Sequence, residues 1–483
     1  MKNYKIFRLL FLMLILSISA CDKKLDISPR QSIETDNVFT SASNLEAALL
    51  GAYSEIKGTF GVSFSGELYG GDFNVFSEML AANGNVAWGG SFIEYREIFN
   101  KAISTTNPEI RNNWIRAYNA INNVNSVLDN LDVVTDPDQR DQIEGEALAI
   151  RGMLYFEMVR LWSRPWGTGT ESTDPGIPLV LKSINSVADA EATANLGRFT
   201  VAQVYTQVID DLMRAETLLA PFGSNGTRIS TYTASAILSR VYLQQSEFGL
   251  AAQAADRVIS SDLYSLVPSP LSAFNNSANS TEDIFAIQQT ALSNAGTNNA
   301  GLATFYARLN GSGRGDIQIQ ESQLALFEAG DLRGGLQEDL PGTATIVNVN
   351  QFYYIGVGGQ NSGFIQTAKY GDGNLNIPLV RLSEMYLTRA EGNFEAGTNI
   401  GSTPLEDINI IRKRAGLDNL TDLSQGDIRL ERQKELAFEG FALHDKKRWK
   451  MDIADLAFDA PELVLPIPER ELEVYDIAQN AGY

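Results

Sequence analysis

Apolar residues recur at helical spacing through most of this chain. Ile110, Trp114, Ala117, Ile121, Val124 and Leu128 trace one face, and Ile143, Ala147, Ile150, Leu154, Met158 and Leu161 trace another. Each run predicts a helix of about seven turns at roughly 3.6 residues per turn. Start signals stand in front of them. Asn107-Pro108 and Asp136-Pro137 place a capping side chain before a proline at the first helical position, where the missing N–H costs nothing. Thr200 with Gln203, Asp136 with Gln139 and Thr403 with Glu406 fit the capping box, in which two orphaned backbone donors are satisfied reciprocally.

From 232 to 263 the pattern tightens. Leu238, Tyr242, Phe248, Ala251, Ala255 and Val258 fall near the offsets of a tetratricopeptide repeat, with large residues on the first helix and small ones on the second. A looser copy runs from Arg381 to Gly416 through Leu387, Glu391, Ile408, Ile411 and Ala415. A generic helical hairpin with alanines at its contact explains either copy alone, whereas several pairs in one chain favour a stacked helical scaffold.

The helical period breaks in two places. Between about 267 and 370, Asn, Ser, Gly and Thr dominate, and Asp283 to Ile287 and Ile346 to Ile355 look like strands, so this region reads as an insertion of loops and small sheets. The second break runs from Phe60 to Phe99. It holds Phe60, Phe64, Tyr69, Phe73, Phe76, Trp88, Phe92, Tyr95 and Phe99, a density well above the chain's 9% aromatic average. Some belong to a core, because Phe73, Phe76 and Met79 fit a helix, as do Phe92, Tyr95 and Phe99. Trp88, among glycines and asparagines from Asn83 to Gly90, is harder to assign that way.

The first residues carry an address. Lys2, Lys5 and Arg8 precede an apolar run from Leu9 to Leu16 and the small residues Ser17, Ser19 and Ala20, so residues 1–20 read as a signal peptide. The run is too short for a transmembrane helix, which needs roughly 20 apolar residues. Cys21 is the chain's single cysteine, which excludes an internal disulfide. Ile18-Ser19-Ala20-Cys21 resembles the bacterial lipobox, whose cysteine takes a diacylglycerol and becomes the new N-terminus. The plainer reading is a secretory signal with a cysteine near the cut. Lipidation would hold the protein on a membrane that no segment crosses. The chain has 38 basic and 59 acidic side chains, a net −21; removing the leader leaves 35 against 59, or −24. Such a charge weighs against nucleic acid and anionic lipid surfaces.

Four stretches share one resemblance. The first is Cys21 to Ala52, with Leu25-Asp26-Ile27-Ser28-Pro29 and Asn37-Val38-Phe39. The second is Gly145-Glu146-Ala147 through Arg151-Gly152 to Phe156, with Trp162 and Trp166-Gly167. The third joins Arg381 to Leu387 and Arg389-Ala390-Glu391 to Arg412-Lys413-Arg414-Ala415-Gly416. The last is Glu431 to Gly440 with Lys447-Arg448-Trp449, closed by Leu465-Pro466-Ile467-Pro468 and Gln479 to Tyr483. In this order they resemble the SusD/RagB family of outer-membrane nutrient-binding lipoproteins, over almost the whole mature chain. Ala481, where the family often has proline, and the form of Ala442-Leu443-His444-Asp445 are departures that touch the scaffold.

The resemblance implies a mainly α fold, a tetratricopeptide-like right-handed superhelix with loop-rich and small β insertions. It divides the chain into a leader, a lipidated linker 21–35 and a SusD-like domain 36–483. It also implies a partner, a SusC-like TonB-dependent outer-membrane transporter, covered by this protein as by a lid while an oligosaccharide or, in some members, a peptide is delivered. The family's ligand site is built from loops in these two irregular zones, with residues that vary between members.

Glycans ask for flat aromatic faces and for amide, carboxylate and guanidinium partners to their hydroxyls. Trp88 with Asn83 and Asn85 supplies one set; Phe305, Tyr306, Arg308, Arg314 and Asp316 supply another. Packing is the competing reading for each. Tyr353 and Tyr354 alternate faces, so at most one points outward. His444, the lone histidine, reads as solvated or capping. Catalysis finds no serine elbow, histidine pair or phosphate loop. Asp372, Asn374 and Asn376 begin like a calcium loop, but Ile377 and Ser383 stand where glycine and glutamate belong. The expectation is a non-enzymatic cell-surface glycan-binding lipoprotein with no metal or cofactor. A peptide-importing lid, a secreted glycoside hydrolase and a pure interaction scaffold are the alternatives.

Overall fold

The computed structural model describes residues 39–58, 66–221, 226–295, 300–310 and 312–483. The leader, the linker 21–35, Cys21, Phe60 and Phe64 lie outside them. The caps legible in the sequence start the helices. Asn107 Oδ1 accepts from the Glu109 and Ile110 N–H groups at the head of Pro108–Asp129, and Asp136 accepts from the Gln139 N–H at the head of Pro137–Trp162. Reciprocal capping boxes open Val201–Leu218 and Pro404–Arg414. Pro108–Asp129 has 22 residues, closer to six turns than seven. Asn130 ends it by folding its side-chain amide back to the Ser126 carbonyl at 2.8 Å, and a 3-10 turn over Leu131–Val133 follows.

Pro137–Trp162 is the central helix, buried on every side from Gly145 onward, as expected of a helix inside a stack. It packs between Pro108–Asp129 and Val201–Leu218. Gly152 permits that approach, since a Cβ there would stand 3.0 Å from Leu212. Polar groups in this layer are matched. Arg151 grips Asp211 with bonds of 2.8 and 2.7 Å and reaches Asn125 at 2.8 Å, while Glu146 accepts from the Tyr53 hydroxyl at 2.5 Å.

Both repeat-like pairs are present: Thr231–Gln244 with Phe248–Ile259, and Leu382–Ala396 with Pro404–Arg414. They touch one another. Phe248–Ile259 packs on Leu382–Ala396 so closely that a Cβ on Gly392 would lie 2.6 Å from the Phe248 carbonyl oxygen. The region between them therefore leaves and re-enters the stack at adjacent helices. Its stem is a two-stranded antiparallel sheet, Asp283–Ile287 against Ile377–Arg381. A second sheet has the order β1 (Val86–Trp88), β3 (Ile317–Ile319), β6 (Ile365–Thr367), β5 (Tyr353–Ile355) and β4 (Leu336–Gln337), the stem strands being β2 and β7.

Two expectations need correction. Within Ile346 to Ile355 only the last three residues form a strand, because Ile346–Asn348 closes into a 3-10 turn with its own capping box. Tyr353 and Tyr354 keep within the expectation that at most one points outward, since both are buried: Tyr353 packs on Phe327 and Phe438, and the Tyr354 hydroxyl accepts from the Arg308 N–H at 3.0 Å. His444 is sealed inside Ala442–Arg448, where burial first, then Arg160 and Lys447, drives its pKa well below the usual value. It is neither solvated nor a cap.

A buried charge network fastens the insertion to the stack. Arg381 donates to Glu435 at 2.6 Å and to Glu439 at 2.7 Å, Arg333 reaches Glu435 at 3.2 Å, and Lys369 meets Glu439 at 2.7 Å. Burial opposes ionisation of Glu435, but Arg414, Arg381 and Arg333 overcome it and hold the carboxyl well below its ordinary range. No helix among the described residues is long and apolar enough to cross a membrane.

Candidate ligand-binding site

The two irregular zones meet through β1 and β3. Trp88 lies opposite Ile317 and Val86 opposite Ile319, and the Gly89 N–H extends the ladder to the Asp316 carbonyl at 2.7 Å. One face of Trp88 stacks on Tyr95, while Phe305 meets the indole edge-on at 5.7 Å. Gly90 lies against the ring, where a Cβ would come within 2.4 Å of Cζ2, so only glycine fits. Beside it the Arg314 guanidinium covers Phe92 at 4.4 Å, donates to Asp316 at 2.8 Å and reaches the Ser91 hydroxyl at 3.1 Å. Asp316 is buried and also accepts from Asn361 at 3.0 Å. Burial pushes its carboxyl up, and Arg314 and Asn361 counter that push. Trp88 and Phe92 stay half-buried, Ser91 is exposed, and Arg314 keeps 32% of its side chain open. Together they make a small aromatic and guanidinium patch.

The six residues expected to bind ligand do not converge. Trp88 and Arg314 share the patch. Arg308 stands next to it as a clamp: its guanidinium binds the Gly358 carbonyl and, at 2.7 Å, the Gly313 carbonyl, which pins the glycine-rich hairpin 356–363. Asn83 and Asn85 sit at the other end of β1, where the Asn85 Oδ1 accepts from the Asn83 N–H at 3.0 Å, and they line a separate cavity. Tyr306 is a correction. It is 0% exposed, its ring lies 5.6 Å from both Tyr370 and Phe438, and its hydroxyl faces Asn74 at 3.4 Å. The helical turn Leu302–Tyr306 aims it into the core. Residue-by-residue reading missed Asn361, which donates to Asp316 and to the Arg314 carbonyl from the clamped hairpin. The run of glycines from Gly356 to Gly363 is the signal that marked this segment as a loop.

Residues 25–243 match a family described as starch-binding and associating with the outer membrane, and residues 336–483 match the SusD family. The chain belongs to the SusD/RagB family. Among its SusD-like relatives, protein P2 of Formosa agariphila is 24% identical over 98% of this chain and 97% of that protein. Protein P25 of the same organism is 25% identical over 58% of this chain and 51% of its own length. A SusD superfamily crystal structure from Bacteroides thetaiotaomicron superposes with a TM-score of 0.76 at 24% identity, covering 91% of this chain and 99% of that one. A structure named as a sugar-binding protein from Bacteroides vulgatus superposes at 0.74 with 24% identity, covering 92% and 99%. The SusD-like stretches Gly145-Glu146, Arg381 and Glu431 to Glu439 lie mostly in the buried scaffold, whereas the Trp88 patch lies where the two irregular zones meet. The family assignment and the site therefore rest on different residues.

Proposed function

We propose that this chain is a cell-surface glycan-binding lipoprotein that delivers its ligand to a SusC-like TonB-dependent outer-membrane transporter. The observation that carries the binding half is the Trp88, Phe92 and Arg314 patch: aromatic faces for the apolar side of a sugar ring, beside a guanidinium and a serine hydroxyl for its hydroxyl groups. The one carboxylate built into the patch, Asp316, is held by Arg314 and Asn361, which supports retention of a ligand over turnover. Membership of a family described as associating with the outer membrane supports the location. On this reading residues 1–20 are removed, Cys21 carries the only membrane attachment, 21–35 is the tether and 36–483 the folded lid.

The test is a screen of the purified protein against a broad set of oligosaccharides and peptides. Retention of at least one oligosaccharide, weakened by Trp88→Ala, is the expected result. Retention of peptides with no glycan would move the assignment to a peptide-importing lid. New reducing ends accumulating with time would replace binding by hydrolysis. Co-purification of a large barrel from detergent extracts checks the transporter, and its absence would favour a lipoprotein acting alone.

A further inference from the structure

Asn83 and Asn85 open onto a cavity of about 260 Å³ bounded by Asp72–Leu80, the segment 322–326 and the helices Gln425–Glu435 and Ala442–Arg448. Trp88 does not line it. Asn85 and Trp88 are three residues apart along an extended strand, roughly 10 Å.

Glu78 is the distinctive group here. It is 3% exposed and lines the cavity. Its Oε1 takes two backbone donors, Gly440 N–H at 3.0 Å and Ala442 N–H at 3.4 Å, while Oε2 receives no bond from the protein. That oxygen is open to the cavity, where water serves it, and a ligand hydroxyl can take the place of the water as its donor. Gln433, half-buried on the wall, makes no side-chain bond of its own, and Asn85 spends its Oδ1 on the turn but keeps its amide N–H groups. The charged neighbours are already matched. Arg432 pairs with Asp445 at 2.8 Å, and Lys446 donates to the Ala81 carbonyl at 2.8 Å from a position that also attracts Glu78. The two carboxylates and two cations of the wall, Asp445 with Arg432 and Glu78 with Lys446, offset one another, so the lining carries no net charge. Leu326, Leu436 and Met451 supply apolar wall. The volume falls just below the range of about 300–1,000 Å³ typical of larger ligands.

We infer that this cavity is a second binding site, taking a neutral polyhydroxylated molecule about one sugar ring in size, with Glu78 Oε2 accepting a ligand hydroxyl. The inference does not depend on the Trp88 patch, and the two can fail separately.

The test is saturation-transfer NMR on the purified full chain. The probes are glucose, galactose, mannose and xylose, with glucosamine and glucuronate as charged counterparts. Saturable one-to-one binding of at least one neutral sugar is expected, with charged analogues weaker and Glu78→Gln at least tenfold weaker. Glu78→Gln keeps an oxygen for the Gly440 and Ala442 N–H groups. Should it fail to fold, Gln433→Ala replaces it, with the same loss expected. Absence of saturable binding by every neutral sugar overturns the inference. So does stronger binding of a charged analogue, or a loss that follows Trp88→Ala and not Glu78→Gln.

Discussion

Trp88 stacks on Tyr95 with ring centroids 5.6 Å apart and planes inclined by 26°. The stack holds the indole flat at the junction of two loop zones, and on the proposed function Trp88 serves recognition as well as packing. Trp88→Ala is expected to lower stability by about 2 kcal/mol, less than the roughly 3–5 kcal/mol for a fully buried aromatic because this one is half-buried. Glycan affinity should fall at least about tenfold, or roughly 1.4 kcal/mol. Urea unfolding and titration calorimetry read the two effects separately, and Trp88→Phe should restore more stability than affinity.

Arg314 holds Asp316, Ser91 and Phe92 at once. Arg314→Met leaves the Asp316 carboxylate buried with Asn361 as its remaining side-chain donor. Breaking a buried pair costs about 3–5 kcal/mol, and the partial exposure of Arg314 lowers this to about 2 kcal/mol. Arg314→Lys should recover little, because an ammonium lacks the planar fork. The double change Arg314→Met with Asp316→Asn should recover more than half of the loss in denaturant melts.

The charge network at Arg381 has higher stakes. Arg381→Met strips Glu435 and Glu439 of a shared partner while both remain buried. A loss of about 3–5 kcal/mol is expected. Arg257→Met, which removes a largely exposed partner of Glu216, should cost under about 1 kcal/mol. Equal losses in the two variants would show that the network contributes no more than a surface pair.

Burial lowers Lys447 to about 7, with its ammonium on the Leu463 carbonyl at 2.7 Å. A depressed folded pKa means stability that is complete above the unfolded value of 10.5 and lost as pH falls toward 7. Glu78 and Asp283 are pushed up to about 7, chiefly by burial. Their contribution is complete below the unfolded values of 4.5 and 3.8 and is lost as pH rises to about 7. The contributions of these three groups are jointly lowest near neutrality. Lys447→Met should flatten the alkaline limb, whose slope per group is at most about 1.4 kcal/mol per pH unit. Denaturant melts from pH 5 to 10 check it.

Cys21→Ser should move the protein from the membrane pellet to the soluble fraction while leaving glycan retention by the folded domain intact. Fractionation with a binding assay on each fraction decides it, and continued pelleting would require another attachment.

The helices were legible because their information is local. Asn107, Asp136, Thr200 and Thr403 announce helix starts within four residues, and the apolar period does the rest. The site was legible only as two zones. Nothing near Tyr306 says that it turns inward while Arg314 turns out, since the decision belongs to Tyr370 and Phe438, distant in sequence. Strand Val86–Trp88 is too short for a period, and its partner lies more than 200 residues away. Asn361 enters the patch through Asp316 and the Arg314 carbonyl, 45 and 47 positions upstream. Glu78 reads as one more polar residue on a helix until Gly440 and Ala442 are placed against it.

The contact between Phe248–Ile259 and Leu382–Ala396 has an evolutionary consequence. Because the two helices that bracket the irregular region already touch, its termini are fixed as neighbours whatever lies between, and the entropy of closing a longer or shorter excursion changes only as the logarithm of its length. That region is thus an exchangeable cartridge: selection can trade whole loops there while the stack beneath keeps its shape.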